Sequence, residues 1–126
     1  MQIVEIMEKT FQAESGDVAL YLAMSKKAAD EGDPDTALYL YDVAMDEARH
    51  AADFAMLLGK VKDTRSNVSM MLEDEIRSEK ERSQTAKIAL SQSNNEAFYY
   101  FDRSMRDERK HKAGLKLILS KMQEKD

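Results

Sequence analysis

The stretch AADEGDPDTA, residues 28–37, predicts a sharp turn between two long helices. Gly32 suits the left-handed position that follows a helix, Asp33 suits the N-cap of the next helix, and Pro34 is tolerated at its first position. On both sides of this turn, apolar residues recur at helical spacing. The stretch therefore predicts a helical hairpin over residues 2–59.

A second pair of helical patterns follows a polar connector at residues 60–67. The third helix is predicted to begin near Val68. Ser93-Asn94-Asn95-Glu96 has the form of a capping box that opens the fourth helix. The second hairpin thus covers residues 68–124, and the chain is predicted to be one all-α domain, 1–126, built as a four-helix bundle.

The composition restricts the functions open to the chain. It contains no cysteine, which excludes iron–sulfur clusters, thiolate catalysis and cysteine-based zinc sites. A net charge of −5 disfavours binding to nucleic acids or to anionic membranes. No apolar run approaches the roughly 18 residues of a membrane span, and the N-terminus lacks the features of a secretion signal. We therefore expect a cytoplasmic protein with neither nucleic-acid nor membrane partners.

The chain contains two histidines, and each lies three residues after a glutamate, as Glu47/His50 and Glu108/His111. Residues at i and i+3 share a helix face, so both side chains of a motif can reach one ion. Imidazole together with carboxylate suits iron, manganese or zinc. A single such motif is commonly a pair of solvated side chains. Here, however, both glutamates fall within the apolar stripes of their helices, which indicates a buried site.

Two further glutamates stand at a common distance from these motifs. Glu14 lies 33 residues before Glu47, and Glu75 lies 33 residues before Glu108. Across a hairpin turn, such residues come level to within about one helical turn. Four buried carboxylates without a cation would repel one another, at a cost of roughly several kcal/mol per ion. The predicted metal ligands are therefore Glu14, Glu47, His50, Glu75, Glu108 and His111.

The two halves of the chain look like copies of each other. TALYLYDVAM at 36–45 matches EAFYYFDRSM at 96–105 with an offset of 60, whereas EARH at 47–50 matches ERKH at 108–111 with an offset of 61. We therefore predict one extra residue in the fourth helix, absorbed as a π-bulge within residues 103–109.

At this point the sequence resembles the ferritin-like di-iron proteins, and the rubrerythrins in particular. The residues that match the ligand pattern are Glu14, Glu47-x-x-His50, Glu75 and Glu108-x-x-His111. Residues 12–55 resemble a rubrerythrin first hairpin, and the whole resemblance covers about 5–120. It implies a ferritin-like bundle with two iron ions, although the same ligands accept manganese or zinc. It also implies that Tyr21, seven residues after Glu14, is a catalytic residue beside the metal pair.

The chain departs from the rubrerythrin pattern at two points that bear on the chemistry. It lacks the Cys-rich rubredoxin domain, so the resemblance implies a separate electron-donor protein such as a rubredoxin. The family's extra glutamate, one turn after the third-helix ligand, is replaced by Ser78, while Glu79 stands one residue further on. Glu79 is open to three readings: a displaced extra ligand, a base beside the metal, or the helix ligand in place of Glu75.

The connector between the second and third helices is the third departure. Ferritin-like bundles run up-down-down-up, so this link must travel the length of the bundle. Helices of about 27 residues are about 40 Å long, whereas eight connector residues reach at most about 28 Å. We therefore expect a domain-swapped homodimer, in which each bundle pairs helices one and two of one chain with helices three and four of the other.

The resemblance also implies an activity. A rubrerythrin-like protein is expected to be a non-haem di-iron peroxidase that reduces hydrogen peroxide in oxidative-stress defence. Two alternatives stay open. One is a ferroxidase or iron-handling protein, for which iron is the substrate, and the other is a non-catalytic, metal-stabilised interaction protein.

Overall fold

In the computed structural model, residues 2–124 are described, and these form four α-helices and no β-strand. The helices are α1 (Ile3–Asp30), α2 (Pro34–Leu57), α3 (Thr64–Ser91) and α4 (Asn95–Glu124). They form two compact units, an α1/α2 hairpin up to Val61 and an α3/α4 hairpin from Lys62 onward. The predicted all-α fold class is confirmed. Within the described part of the chain, no helix is both long and apolar enough to span a membrane.

The turn between α1 and α2 has the predicted chemistry. Gly32 has φ of +81°, and its N–H donates to the Ala29 carbonyl at 3.0 Å. The Asp33 side chain accepts a hydrogen bond from the Thr36 N–H at 3.1 Å and so caps α2. Hydrogen bonds from the side chain and the backbone of Thr36 hold the pKa of Asp33 below its ordinary value. The first hairpin thus turns where its local sequence predicts.

The turn between α3 and α4 differs from the prediction. Ser93 has φ of +59° and takes the left-handed position that Gly32 takes in the first hairpin. The N-cap is Asn94, whose Oδ1 accepts a hydrogen bond from the Ala97 N–H at 3.0 Å. The predicted capping box beginning at Ser93 is therefore wrong, because the left-handed residue ends α3 and the next residue caps α4.

The connector between the hairpins is shorter than predicted. The Asp63 side chain accepts hydrogen bonds from the Ser66 N–H at 3.0 Å and from the Ser66 hydroxyl at 2.8 Å. These bonds, the one from the backbone above all, lower the pKa of Asp63. Because Asp63 caps the helix, α3 begins at Thr64 and not near Val68. Residues 58–63 are left to connect α2 with α3.

The two hairpins repeat each other with one uniform offset of 61 residues. The bounds of α1 plus 61 are the bounds of α3. The N-caps Asp33 and Asn94 are 61 apart, and Glu47 and Glu108 each lie 14 residues beyond their cap. The predicted π-bulge within 103–109 is wrong, because α4 is a continuous α-helix with no extra residue to absorb. The sequence match at an offset of 60 has no structural counterpart.

Alanine forms the buried core of both hairpins. Such small side chains let paired helices approach closely. Between α1 and α2, the Ser25 hydroxyl also donates to the Ala37 carbonyl at 2.6 Å. Many large apolar side chains stay exposed, among them Tyr39 and Leu57, each 68% exposed. The buried residues within 2–124 are Ala28, Ala37, Ala44, Ala51, Ala86 and Ala89.

Replacing Ser93 by glycine is expected to stabilise the protein by roughly 0.5–1 kcal/mol. A left-handed backbone costs an L-residue about 1–2 kcal/mol, and the greater freedom of glycine in the unfolded chain offsets part of that gain. Thermal unfolding followed by circular dichroism measures the change. Gly32→Ser is the matched control, and it should lower the melting temperature. A Ser93→Gly variant that melts at or below the wild-type temperature would contradict the prediction.

Candidate metal centre

The first hairpin brings three of the predicted ligands together. Glu14 comes from α1, and Glu47 and His50 come from successive turns of α2. Their ligand atoms all lie within 4.8 Å of one another. The His50 Nδ1 is 3.6 Å from the Glu14 Oε1 and 3.7 Å from the Glu47 Oε1. We call these three residues cluster 1.

The second hairpin repeats this arrangement. Glu75 of α3 meets Glu108 and His111 of α4, again with all ligand atoms within 4.8 Å of one another. The His111 Nδ1 is 3.4 Å from the Glu75 Oε1. We call these residues cluster 2. The structure thus groups all six predicted ligands, three on each hairpin.

The clusters fit a bound metal ion. The Oε2 atoms of Glu14 and Glu75 are buried and have no hydrogen-bond partner within residues 2–124. A buried carboxylate oxygen without a donor is costly, and a cation is what removes that cost. The imidazoles of His50 and His111 are about half exposed, at 50% and 55%. Each cluster therefore combines buried carboxylate oxygens with an accessible imidazole nitrogen, a donor set that suits iron, manganese or zinc.

Electrostatics within cluster 2 also favour a cation. The pKa of Glu108 is raised above 4.5, first because it shares a hydrogen bond with the neighbouring Glu75 carboxyl, and also because of partial burial and the Glu75 charge. The nearby His111 and Arg82 side chains oppose this rise. The Glu75 carboxyl thus disfavours the ionised form of Glu108. A divalent ion bound between the two side chains would favour the ionised form instead.

Arg82 is a residue that the sequence analysis missed. It lies on α3, seven residues after Glu75, and its charge acts on Glu108. The 61-residue repeat places Arg82 at the position that Tyr21 holds on α1. An alignment of the two halves at a uniform offset of 61 pairs Arg82 with Tyr21. The sequence match at an offset of 60 did not show this pairing. Cluster 2 thus has a guanidinium where cluster 1 has a phenol.

Tyr21 is half-buried on α1, two turns beyond Glu14 or about 10 Å along the helix axis. Its hydroxyl has no hydrogen-bond partner among residues 2–124. The catalytic role that the resemblance implies for Tyr21 therefore stays a prediction.

Glu79 lies outside the ligand cluster. Its Oε1 accepts a hydrogen bond from the Arg109 Nε at 2.9 Å, and its Oε2 is 2.5 Å from the Lys112 Nζ. Hydrogen bonds from Lys112 first, and from Arg109, hold the pKa of Glu79 below its usual value. Of the two third-helix glutamates, the structure places Glu75 with the other ligands and Glu79 in an ion-pair network.

A cleft of about 480 Å³ opens beside cluster 2. Met71, Leu115 and Ile118 form its apolar wall, and Glu75 and His111 stand at its polar end. Apolar walls around convergent polar groups are typical of sites for small ligands. The cleft gives a small molecule access to the ligand residues.

Comparisons with known proteins agree with this geometry. The rubrerythrin family model matches residues 5–119. An uncharacterized protein of Methanocaldococcus jannaschii is 39% identical over 116 residues, which are 91% of this chain and 82% of that protein. Reverse rubrerythrin-1 of Clostridium acetobutylicum is 38% identical over 76 residues, or 59% of this chain and 42% of that protein. With two Glu/Glu/His clusters on an all-α, ferritin-like fold and a family match over nearly its whole length, the chain belongs to the rubrerythrin family of di-iron proteins.

Proposed function

We propose that this protein is a di-iron oxidoreductase that reduces hydrogen peroxide to water. Each turnover combines one peroxide with two electrons and two protons, breaks the O–O bond and releases two water molecules. The observation that carries the proposal is the pair of three-residue clusters. Each contains one buried carboxylate oxygen, of Glu14 or of Glu75, that has no hydrogen-bond partner within residues 2–124. Family membership favours redox chemistry over a purely structural metal site.

The residues of the two clusters would divide the work. Clusters 1 and 2 would each hold one ion, and four carboxylates balance the charge of two divalent ions. Bound iron would supply the two electrons that cleave the O–O bond. Tyr21 would orient the peroxide by donating a hydrogen bond from its hydroxyl. Arg82 would stabilise negative charge on the oxygen that leaves.

We further propose that the working species is the domain-swapped homodimer. Residues 58–63, with the steps to the flanking helices, reach at most about 25 Å. Helices of 24 and 28 residues are about 36–42 Å long. A single chain therefore cannot lay its two hairpins in the up-down-down-up order of a ferritin-like bundle, and two chains that exchange hairpins can. Part of the exposed apolar surface of each hairpin would be buried in such an exchange.

Peroxide reduction by the reduced protein is the direct test. Elemental analysis of the purified protein should find about two ions per site, that is, one ion for each cluster. Anaerobically reduced protein should be oxidised by about one equivalent of hydrogen peroxide per pair of ions. Tyr21→Phe is expected to slow this oxidation about tenfold to a hundredfold without loss of metal. Tyr39→Phe, at an exposed tyrosine of α2, is the matched control and should react at the wild-type rate.

Other results would replace the proposal. Uptake of iron well beyond two ions per site, with dioxygen as the oxidant, would identify a ferroxidase. An intact zinc site without peroxide turnover would identify a non-catalytic protein that uses the metal for stability.

A further inference from the structure

A groove between α3 and α4 carries a concentration of positive charge. Its volume is about 400 Å³, and we call it the basic groove. Its charged residues are Glu79, Lys80, Lys87, Arg109 and Lys112, four cations and one anion, or a net charge of +3. The whole chain has a net charge of −5. The basic groove is thus a positively charged region on a protein whose net charge is negative.

The basic groove lies behind cluster 2. Arg109 precedes His111 by two residues, and two residues turn an α-helix by about 200°. The groove side of α4 therefore faces away from the imidazole of His111. Glu79, on the groove floor, follows Glu75 by one helical turn. A molecule in the groove would approach the metal ligands from the back of the hairpin, without entering the apolar cleft.

Two of the four cations are available to a partner. Arg109 and Lys112 are bound to Glu79, whereas Lys80 and Lys87 have no ion pair within residues 2–124. These two lysines are exposed, and seven residues of helix separate them, about 10 Å along the axis. The spacing fits an extended acidic surface on another macromolecule.

The first hairpin shows that the fold does not need these cations. At an offset of 61, the positions of Lys80, Arg109 and Lys112 are held by alanines, and that of Glu79 by Val18. Lys26 stands at the position of Lys87. The first hairpin therefore forms with alanine at three of the four cationic positions. The charges of the basic groove are an addition to the scaffold of the second hairpin.

We propose that the basic groove is the docking surface of an acidic partner protein that delivers electrons to the metal centre. The inference rests on the proposed function, because each peroxide reduced consumes two electrons that a donor must supply. Opposite charge steers such a donor to its site and raises the rate of encounter. A donor bound in the groove lies against α3 and α4, the helices that carry cluster 2.

Charge reversal with a matched control tests the docking surface. The test variant is Lys80→Glu/Lys87→Glu, and the control is Lys26→Glu/Lys27→Glu, which makes the same change of net charge on the first hairpin. The probe is reduced rubredoxin, a small acidic iron–sulfur protein, mixed with the metal-loaded protein in a stopped-flow spectrometer. We expect the test variant to lose about tenfold or more of the second-order rate at low ionic strength, and the control to stay within about twofold.

Binding is measured separately from electron transfer, by calorimetry with oxidised rubredoxin. Loss of binding in the test variant alone supports the docking surface, even where the wild type reduces no peroxide and the proposed function fails. If the test variant binds rubredoxin and is reduced by it at the wild-type rate, with peroxide turnover intact, the proposed docking surface is wrong. The proposed function would be unaffected by that result. Equal losses in both variants would also overturn it. Displacement of the probe by millimolar inorganic phosphate, beyond the effect of chloride at matched ionic strength, would identify a small-anion site instead.

Discussion

Replacing Glu47 by alanine is expected to lower the metal content from about two ions per site to about one or fewer. Glu47 is one of the three candidate ligands in cluster 1, and Glu14 and His50 alone would hold an ion weakly. Residues that merely support a ligand change metal affinity by about 10- to 100-fold when they are removed, so loss of a ligand should have a larger effect. Inductively coupled plasma mass spectrometry of the purified variant measures the metal content.

The same substitution should lower the stability of the metal-loaded protein. An ion present at about 100 times its dissociation constant stabilises the folded state by about 2.7 kcal/mol, and the variant loses that contribution for cluster 1. Asp46→Ala is the matched control, because Asp46 is adjacent in sequence but its exposed side chain pairs with Arg49. Glu108→Ala should reproduce the effect in cluster 2. Wild-type metal content in the Glu47 variant would refute the assignment of the ligands.

Lengthening the connector is expected to convert the proposed domain-swapped dimer into a monomer. About 20 Gly/Ser residues inserted after Val61 would give a link whose extended length, at about 3.3 Å per residue, exceeds that of the helices. Both hairpins of one chain could then meet in a single bundle. Flexible linkers of this kind make the intramolecular encounter equivalent to a millimolar concentration of partner. The swapped arrangement would therefore lose its advantage at micromolar protein.

Light scattering during size-exclusion chromatography measures this conversion. The mass should fall from twice the 14.4 kDa of the chain to that value, with metal content per chain unchanged. An insertion of two residues is the control, because it leaves the connector too short and should leave the dimer intact. A wild-type monomer with full metal occupancy would refute the swapped dimer.

The turns show which features are readable from local sequence. Gly32 and Asp33 predict their turn because a left-handed position and an N-cap depend only on residues within one helical turn. The second turn uses Ser93 and Asn94, and either residue suits an N-cap by type. Only the backbone conformation assigns the left-handed position to Ser93. The N-cap of α4 is therefore Asn94 and not Ser93. With this change the two hairpins match at a single offset of 61, and α4 contains no bulge.

The sequence by itself determined the helical hairpins and the six ligand candidates, because helix periodicity and a spacing of 33 residues are local regularities of the chain. Tertiary structure alone decided which third-helix glutamate joins cluster 2. Glu75 and Glu79 share a helix face, so spacing admits both. Contacts across the hairpin separate them, because Arg109 and Lys112 of α4 bind Glu79, whereas the buried Oε2 of Glu75 has no hydrogen-bond partner within residues 2–124. The same contacts form the basic groove, whose charges come together only when α3 and α4 pair.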